Sequence, residues 1–474
     1  MKKYILAHQP DWLGVLSKMT MMMIILVGLT NCANWGQSAL PQSEPYSSAA
    51  NNTSHSSIWE SNNATIWNNL HHLSTTRLAK LKAAEQHDPN KSGWIELALI
   101  SKKNRVNTSH LTTELIAWRL RFPTHPANEL LPKDPALKQL LSPTTPQHIA
   151  ILLPQTGTYQ SAGQSVRDGF LHAYQANLSN LGKQNIKFYD TNQSTNLASL
   201  YQQVIAEGAD FIVGPLTKEE VMRLSNSTSF KIPTLALNYS TPSHRSASNL
   251  YEYGLLPEDE ANQMADRARE AGHFRAIVIA PQNGWGKRMV STFKARWGAL
   301  GGRIQDTWFY SSNLNFSQNI ASLLHVNPEK NNEMISAGST KSLLAQQGRH
   351  DFDIILLFSQ PKDAQMIVSL LRNSNAKNIS IYANSSVFTG NYTGLKGVTV
   401  CDIPWVKQRA TQTNLSSDRL YAVGQDAYLL SQTLERLKQL PHFPIYGATG
   451  ALTLSSNHQI HRRLPCNVIH DGRL

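Results

Sequence analysis

The sequence predicts an α/β protein of two lobes, each a parallel sheet covered by helices, preceded by a short α-helical segment. Three observations carry this expectation. Ile149, Ala150, Ile151, Leu152 and Leu153 form an uninterrupted apolar run closed by Pro154, and a strand apolar on both faces belongs in the middle of a sheet covered on two sides. Small residues follow, among them Gly157, Ser161 and Gly163, and then Val166, Gly169, Phe170 and Ala173 recur at helical spacing. The stretch is a β-turn-α unit. Such units come in two successive series, and 474 residues exceed the roughly 250–300 at which a single core stops growing.

At the N-terminus, Lys2, Lys3 and Lys18 precede an apolar run from Met19 to Thr30. That run is shorter than the roughly 20 residues of a membrane-spanning helix, so residues 1–32 are read as a signal sequence. It ends in Leu29-Thr30-Asn31-Cys32, which resembles the lipobox of bacterial lipoproteins, whose cysteine is acylated and becomes the first mature residue. Asn31 stands where Gly, Ala or Ser is usual, and an ordinary secretory signal with an incidental cysteine is the alternative. Acyl chains contribute about 0.8 kcal/mol per buried methylene, and more than one chain makes the anchor durable. Ala33 stands where an inner-membrane retention signal would place Asp; by resemblance the expected address is the outer membrane, facing the periplasm. Residues 33–65 are rich in Ser and Asn. They lack the apolar surface needed to order a backbone and are read as a disordered tether.

Residues 66–145 hold three helical patterns and a connector. Leu70, Leu73, Leu78 and Leu81 mark the first, Trp94, Leu97, Ala98 and Ile100 the second, and Leu111, Leu115, Ile116, Trp118 and Leu120 the third. Short joints make them antiparallel neighbours. Repeats of tetratricopeptide type run 34 residues and need about three copies to stand alone. There is room for two at most, so the segment is expected to pack on the next domain. Pro123, Pro126, Pro132, Pro135, Pro143 and Pro146 then punctuate a stiff connector.

The α/β module spans 146–474, with lobe 1 at about 146–256 plus C-terminal segments and lobe 2 at about 257–395. Lobe 1 continues with strands at Ile186–Asp190, Asp210–Val213 and Ile232–Asn238 and a helix at Leu197–Glu207; short turns between them predict parallel pairing with right-handed crossovers. Pro257 beside Glu258, Asp259 and Glu260 marks a helix N-terminus, by preset φ and by the helix dipole. Lobe 2 offers strands at Ala276–Ala280, Arg303–Tyr310, Phe352–Phe358 and Ile379–Ala383, helices at Trp285–Leu300 and up to Leu370, and a polar insertion between His325 and Arg349. From Asp418 to Gln439 a long helix places Leu420, Val423, Ala427, Leu430, Leu434 and Leu437 on one face, which reads as core.

Several function classes recede. The net charge of +12 comes from 44 Lys and Arg against 32 Asp and Glu, but no basic run exceeds two residues and no aromatic-interleaved basic motif appears, so no nucleic-acid partner is expected. Three cysteines, Cys32, Cys401 and Cys466, exclude a disulfide scaffold and any CxxC metal site. No nucleophile elbow, zinc-binding His-Glu-x-x-His or phosphate-binding loop occurs; Gly284-Trp285-Gly286-Lys287 lacks the spacing and the hydroxyl. His71-His72 has no third ligand in register and is read as solvated. No catalytic residue, metal or cofactor is expected.

The order of strand, glycine turn, helix and second lobe is similar to the type I periplasmic binding protein fold. Sharper stretches narrow it: Ile151-Leu152-Leu153-Pro154 with Gly157, Ala162-Gly163-Gln164, Arg167-Asp168-Gly169-Phe170, Gly214-Pro215-Leu216, Asp402-Ile403-Pro404-Trp405, Arg419-Leu420-Tyr421-Ala422, Gly424 with Asp426-Ala427-Tyr428, Gly447-Ala448-Thr449-Gly450 and Ile460-His461-Arg462-Arg463-Leu464-Pro465. Together they resemble the LppC/LpoA lipoprotein family, from about Gln147 to Gly472. The resemblance implies an outer-membrane lipoprotein without catalysis of its own, regulating peptidoglycan synthesis by binding a class A penicillin-binding protein and stimulating its transpeptidase. It also implies that Val398 to Val406 and the closing segments cross back to the first lobe. The best-known members carry a much longer tetratricopeptide-like region, where this chain has about Ile66 to Leu141. The alternative function is a lipid-anchored periplasmic receptor for a small solute such as an amino acid or muropeptide.

Candidate sites follow, each with two readings. Thr156, Gly157, Tyr159, Ser161, Gly163, Gly214, Pro215 and Asn238 should lie at strand ends facing the interlobe cleft, where a receptor holds its ligand; the favoured reading is that the glycines serve backbone geometry and the cleft holds nothing. Asp402, Trp405, Arg462 and Arg463 form a partner surface, or else Trp405 fills the hinge and the arginines pair with nearby carboxylates. Once Cys32 is acylated, Cys401 and Cys466 either form a disulfide in the oxidising periplasm or sit as small buried apolar residues.

Overall fold

The structure is a computed structural model describing residues 58–59, 62–103, 108–133, 145–194, 196–227, 229–240, 247–311, 316–324, 349–374, 378–387, 394–404 and 415–470. The signal sequence, Cys32, the tether up to residue 57, the insertion at 325–348 and Trp405 lie outside the described residues.

The helical segment comprises α1 (Asn63–His72), α2 (Thr75–Ala84), α3 (Pro89–Lys103) and α4 (Thr108–Arg121). The first expected pattern divides into two helices because Ser74 interrupts it: the Ser74 side chain accepts from the Arg77 N–H and caps α2. Trp94, Leu97, Leu111, Leu115 and Trp118 are buried in a cluster that also takes in Leu440 and Phe443 from the α/β module. The seam is polar as well. Trp67 Nε1 donates to the His442 carbonyl at 2.6 Å, His71 Nδ1 lies 2.6 Å from the Tyr446 hydroxyl, and Lys102 Nζ donates to that hydroxyl at 3.1 Å. His71 is therefore buried, contrary to the solvated reading, because its partner comes from the far end of the chain. Leu120 also departs from expectation at 77 % exposed, lying off the face that Leu111, Leu115 and Trp118 bury.

In chain order, lobe 1 begins with β1 (His148–Leu153), α5 (Gln160–Leu181), β2 (Asn185–Asp190), α6 (Leu197–Ala206), β3 (Phe211–Val213), α7 (Lys218–Ser227), β4 (Thr234–Ala236) and β5 (Leu250–Tyr253). Lobe 2 follows with α8 (Pro257–Glu270), β6 (Arg275–Pro281), α9 (Gly284–Ala299), β7 (Arg303–Tyr310), α10 (Phe316–Leu323), β8 (Ile354–Leu357), α11 (Pro361–Arg372), β9 (Ser380–Ala383) and β10 (Val398–Cys401). Then α12 (Leu415–Gln439), β11 (Ile445–Gly447), β12 (Gly450–Leu454) and β13 (Gln459–Arg463) return to lobe 1, and β14 (Cys466–Val468) returns to lobe 2.

Among the described residues, the lobe 1 sheet runs β11-β12-β13-β5-β4-β3-β1-β2 and the lobe 2 sheet β14-β10-β9-β8-β6-β7. Pairing is parallel except at β11/β12, β12/β13 and β10/β14. The apolar run of β1 is explained by burial on both faces: Ile149, Ile151 and Leu153 meet α5 and α12, while Ala150 and Leu152 meet α6 and α7. One expectation is corrected. Val398–Cys401 does not cross to lobe 1 but pairs in parallel with β9 in the lobe 2 sheet, and the crossing comes after it.

Helices α5 and α12 meet backbone to backbone. A Cβ at Gly169 would lie 1.9 Å from the Tyr421 carbonyl oxygen, and one at Gly424 would lie 2.0 Å from that of Val166. Nothing larger than glycine fits at either position without parting the helices.

Candidate functional site

The strand ends of lobe 1 are built around Asp190. Its carboxylate accepts from the Gln155 N–H at 2.9 Å, the Thr156 hydroxyl at 2.8 Å and the Asn192 N–H at 3.1 Å, and the Asn192 side chain bonds the Thr156 carbonyl. Burial works against the charged form, but these hydrogen bonds outweigh it and hold the Asp190 carboxyl below its ordinary value. Gly157 takes φ 73°, the left-handed turn that this loop needs. At Gly163 a Cβ would lie 2.1 Å from the Pro154 carbonyl oxygen, and at Gly214, φ 101°, one would lie 2.0 Å from that of Leu152. Asn238 donates to the Leu216 carbonyl and accepts from the Tyr239 N–H, while the Pro215 carbonyl accepts from the Leu237 N–H. Tyr159 and Ser161 are exposed.

Of the eight expected cleft residues, then, Thr156, Gly163, Gly214, Pro215 and Asn238 are engaged within lobe 1. An open polar depression of about 660 Å³ lies at the β1 and β2 ends, lined by Gln155, Asp190, Ser194 and Gln203 among others. Thr156 alone of the eight lines it. On lobe 2 the matching strand ends are likewise tied: Ser359 N–H donates to Asn384 Oδ1 at 2.8 Å, and the Tyr310 and Ser359 hydroxyls lie 2.8 Å apart. Among the described residues no group of three His, Cys, Asp or Glu side chains is placed to hold a metal.

A second constellation sits where the chain passes between lobes. Asp402, 4 % exposed, takes both Arg419 Nη2 at 2.6 Å and Nε at 3.2 Å. Arg419 also donates to the Ser385 carbonyl, and Ser385 donates from N–H and hydroxyl to Glu260 at 2.9 and 2.8 Å. Burial pushes the Glu260 carboxyl above its ordinary value, with nearby Asp402 adding to the rise and the Ser385 bonds opposing it. Arg462, 3 % exposed, donates from its N–H to Asp259 Oδ2 at 3.2 Å, and the neighbouring His461 Nδ1 lies 3.0 Å from Asp259 Oδ1. That hydrogen bond to Asp259 raises the His461 pKa against the lowering effect of burial. Arg463 lies 3.6 Å from Glu270. Cys401 and Cys466 face each other across β10 and β14 and form a disulfide.

The partner-surface reading of Asp402 and Arg462 is thereby corrected, since both are interior. Along β13 alternate residues share a face, and Arg462 falls on the inward one with Ile460 while His461 and Arg463 point the other way. Sequence reasoning missed Asp259, Glu260 and Ser385 as members of this cluster; the two acids carried only a helix N-terminus signal. Asp426, quoted there only within a motif of the resemblance, is a buried carboxylate accepting from the N–H groups of Ala448 and Thr449 and from the Thr449 hydroxyl. Burial lifts the Asp426 carboxyl, and these bonds oppose the rise.

Two lobes of parallel strands joined by three crossovers, with a helical segment packed on the first, define a protein of the periplasmic-binding-protein class. The chain belongs to the LppC putative lipoprotein family, whose model matches residues 48–470. It is 28% identical over 424 residues to the penicillin-binding protein activator LpoA of Vibrio cholerae, an alignment spanning 84% of this chain and 69% of that protein. Among solved structures it is similar to the LpoA (YraM) C-domain from Haemophilus influenzae, described as a regulator of PBP1A, with TM-score 0.57, 26% identity, and coverage of 69% of this chain and 98% of that one. A putative branched-chain amino acid ABC transporter protein from Chromobacterium violaceum shares the fold, with TM-score 0.53, 24% identity, and coverage of 68% and 99%.

Proposed function

We propose that this chain is an outer-membrane lipoprotein, tethered through Cys32 and facing the periplasm, that binds a class A penicillin-binding protein and stimulates its transpeptidase without catalysing a reaction itself. The observation that carries this reading is the family match, which runs through the helical segment and both lobes to residue 470. The likeness to a domain described as a regulator of PBP1A supports it. So does the engagement of Thr156, Asn238, Ser359 and Asn384 in hydrogen bonds inside their own lobes, which partners these strand-end groups without a solute.

The test pairs two measurements. The soluble chain from residue 33 is used to capture detergent-solubilised class A synthase and is then added to that synthase during peptide crosslinking of lipid-linked precursor. Capture with a rise in crosslinking supports the reading; a synthase neither retained nor stimulated refutes it. For the anchor, Cys32→Ser should abolish palmitate labelling and release the protein from membranes, and a labelled variant would refute acylation at Cys32.

A further inference from the structure

The depression at the β1 and β2 ends lies at the margin of lobe 1. Among the described residues β2 is the last strand of the lobe 1 sheet, and the lining comes from β1, β2, the loops that follow them and α6, all within lobe 1. Its volume of about 660 Å³ falls within the roughly 300–1,000 Å³ of small-ligand sites.

The lining decides which chemistry fits. Among the described residues it holds no Lys, Arg or His, so an anion meets no counter-charge there. Asp190 is its one carboxylate, and the Gln155 N–H, the Thr156 hydroxyl and the Asn192 N–H already occupy it. The Arg167 guanidinium lies 4.7 Å from the centre of the Phe188 ring and takes the place a ligand cation would seek on that ring.

What remains is neutral and hydrogen-bonding. The Thr156 hydroxyl spends its proton on Asp190, the Ser194 hydroxyl on the Asn196 carbonyl, and the Gln203 amide donates to Glu207; each keeps oxygen lone pairs that accept. The side-chain amides of Gln155 and Gln193 make no hydrogen bond among the described residues, and each offers donors and an acceptor. The strand margin adds a further pair. The Asn185 and Thr191 N–H groups donate to the Gln147 and Leu153 carbonyls of β1, so by alternation the Phe188 N–H and C=O point away from β1, towards the margin. Neutral donors and acceptors beside the Phe188 and Tyr189 rings complement the hydroxyl and amide groups of a sugar, and an open depression admits a run of linked units.

We propose that this depression binds an uncharged stretch of a glycan chain, through Gln155, Gln193, Ser194 and Gln203. Sugar binding here is separate from activation of a synthase, so either can fail alone.

The test is saturation-transfer NMR on the full-length chain in a sugar-free zwitterionic detergent. The probes are the tetramer of N-acetylglucosamine, the tetramer of glucose and a free peptidoglycan stem peptide, each at millimolar concentration. Sugar-proton signals from a tetramer support the proposal; signals from the acetylated tetramer alone assign recognition to the acetamido groups, and equal signals from both assign it to the hydroxyls. No signal from either tetramer, or displacement of a bound tetramer by the stem peptide, overturns it. Gln155→Ala with Gln193→Ala should weaken tetramer binding by about tenfold or more, while Gln175→Ala, exposed on α5 and outside the lining, should leave it unchanged. Affinity retained in the double variant, or lost equally in Gln175→Ala, overturns the location. A urea midpoint equal to that of wild type verifies the fold; should the double variant fail that check, Gln203→Ala takes its place under the same outcomes.

Discussion

Replacing Gly424 by Ala separates packing from intrinsic helix preference by sign. In the interior of α12 an alanine favours the helical backbone by about 1 kcal/mol over glycine, so a reader of helix propensity expects stabilisation. The structure predicts the reverse. The new Cβ would lie 2.0 Å from the Val166 carbonyl oxygen and 2.8 Å from the Phe170 nitrogen, and ordinary contact begins at 3.4 Å. Both obstacles are backbone atoms of α5, so no side chain can swing aside and the helices must part by the difference between 3.4 and 2.0 Å, about 1.4 Å. A gap of roughly 0.5–1 Å already forfeits a quarter to a half of the dispersion attraction between facing atoms. Phe170, Val423, Ala427 and Tyr428 share the core along this crossing. Overpacking that cannot relax costs about 3 kcal/mol, the upper end of its usual range, and the propensity gain reduces this to about 2 kcal/mol of net destabilisation. Urea unfolding followed by circular dichroism measures it. Gly298→Ala in α9 is the internal control, because nothing lies within 4 Å of its Cβ, and it should be neutral to stabilising by up to about 1 kcal/mol. A Gly424→Ala protein as stable as wild type, or more so, would refute the backbone contact.

Further expectations follow from the buried polar groups. Cys401→Ala with Cys466→Ala opens a loop of 65 residues, for which chain entropy gives about 4 kcal/mol; melting in the presence and absence of dithiothreitol should drop together with the variant, and equal melting curves would show that the bond contributes nothing. Asp426→Ala leaves the N–H groups of Ala448 and Thr449 unpaired in the interior, at about 1–3 kcal/mol each, so urea midpoints should fall well below those of an exposed acid such as Asp168→Ala. His71 is held below its ordinary pKa by burial first and by Lys102 second. The unfolded chain therefore takes up a proton that the folded chain refuses, and stability present above pH ~6.5 is lost as pH falls, by up to about 1.4 kcal/mol per unit. Titrating the urea midpoint from pH 8 to 5 should show this slope in wild type and lose part of it in His71→Gln; parallel profiles would mean the histidine is accessible to protons in the fold.

What was legible in the sequence was whatever a single element states locally. The double-faced apolar run of β1 placed it in mid-sheet, β7 appears with the expected bounds Arg303–Tyr310, and of the stripe read from helical spacing Val423, Ala427, Leu430, Leu434 and Leu437 are buried while Leu420 is partly buried. What was not legible depends on residues far apart in the chain. His71 looked solvated because Tyr446, 375 positions away, is its partner. For Arg462 and Asp402 the sequence left a surface reading and a carboxylate-pairing reading open, because the partners that decide it are announced by no local pattern: Arg462 Nε lies 4.0 Å from Asp259, 203 positions away, and Arg419 lies 17 from Asp402 across a crossover. The glycines of the expected cleft serve backbone geometry in three ways: Gly214 faces the Leu152 carbonyl of β1, Gly163 faces the Pro154 carbonyl, and Gly157 takes φ 73°.

The stretches that carried the family resemblance therefore have a common physical explanation. Arg167-Asp168-Gly169-Phe170 and Gly424 lie at the crossing of α5 and α12; Gly447-Ala448-Thr449-Gly450 is the turn that Asp426 holds; Gly214-Pro215-Leu216 carries the close approach of β3 to β1; Asp402-Ile403 and Ile460 to Pro465 are the crossovers themselves. Each is a place where backbone meets backbone or a buried charge meets its partners, so each tolerates few residues for architectural reasons. If recognition of the synthase were written in these motifs, substituting them would be expected to abolish activation by unfolding the body. A scan of exposed residues, Gln164 and Asp168 of the motifs included, with Gly424→Ala as the unfolding control distinguishes the two: loss of activation at normal urea stability marks contact, and loss that tracks stability marks architecture.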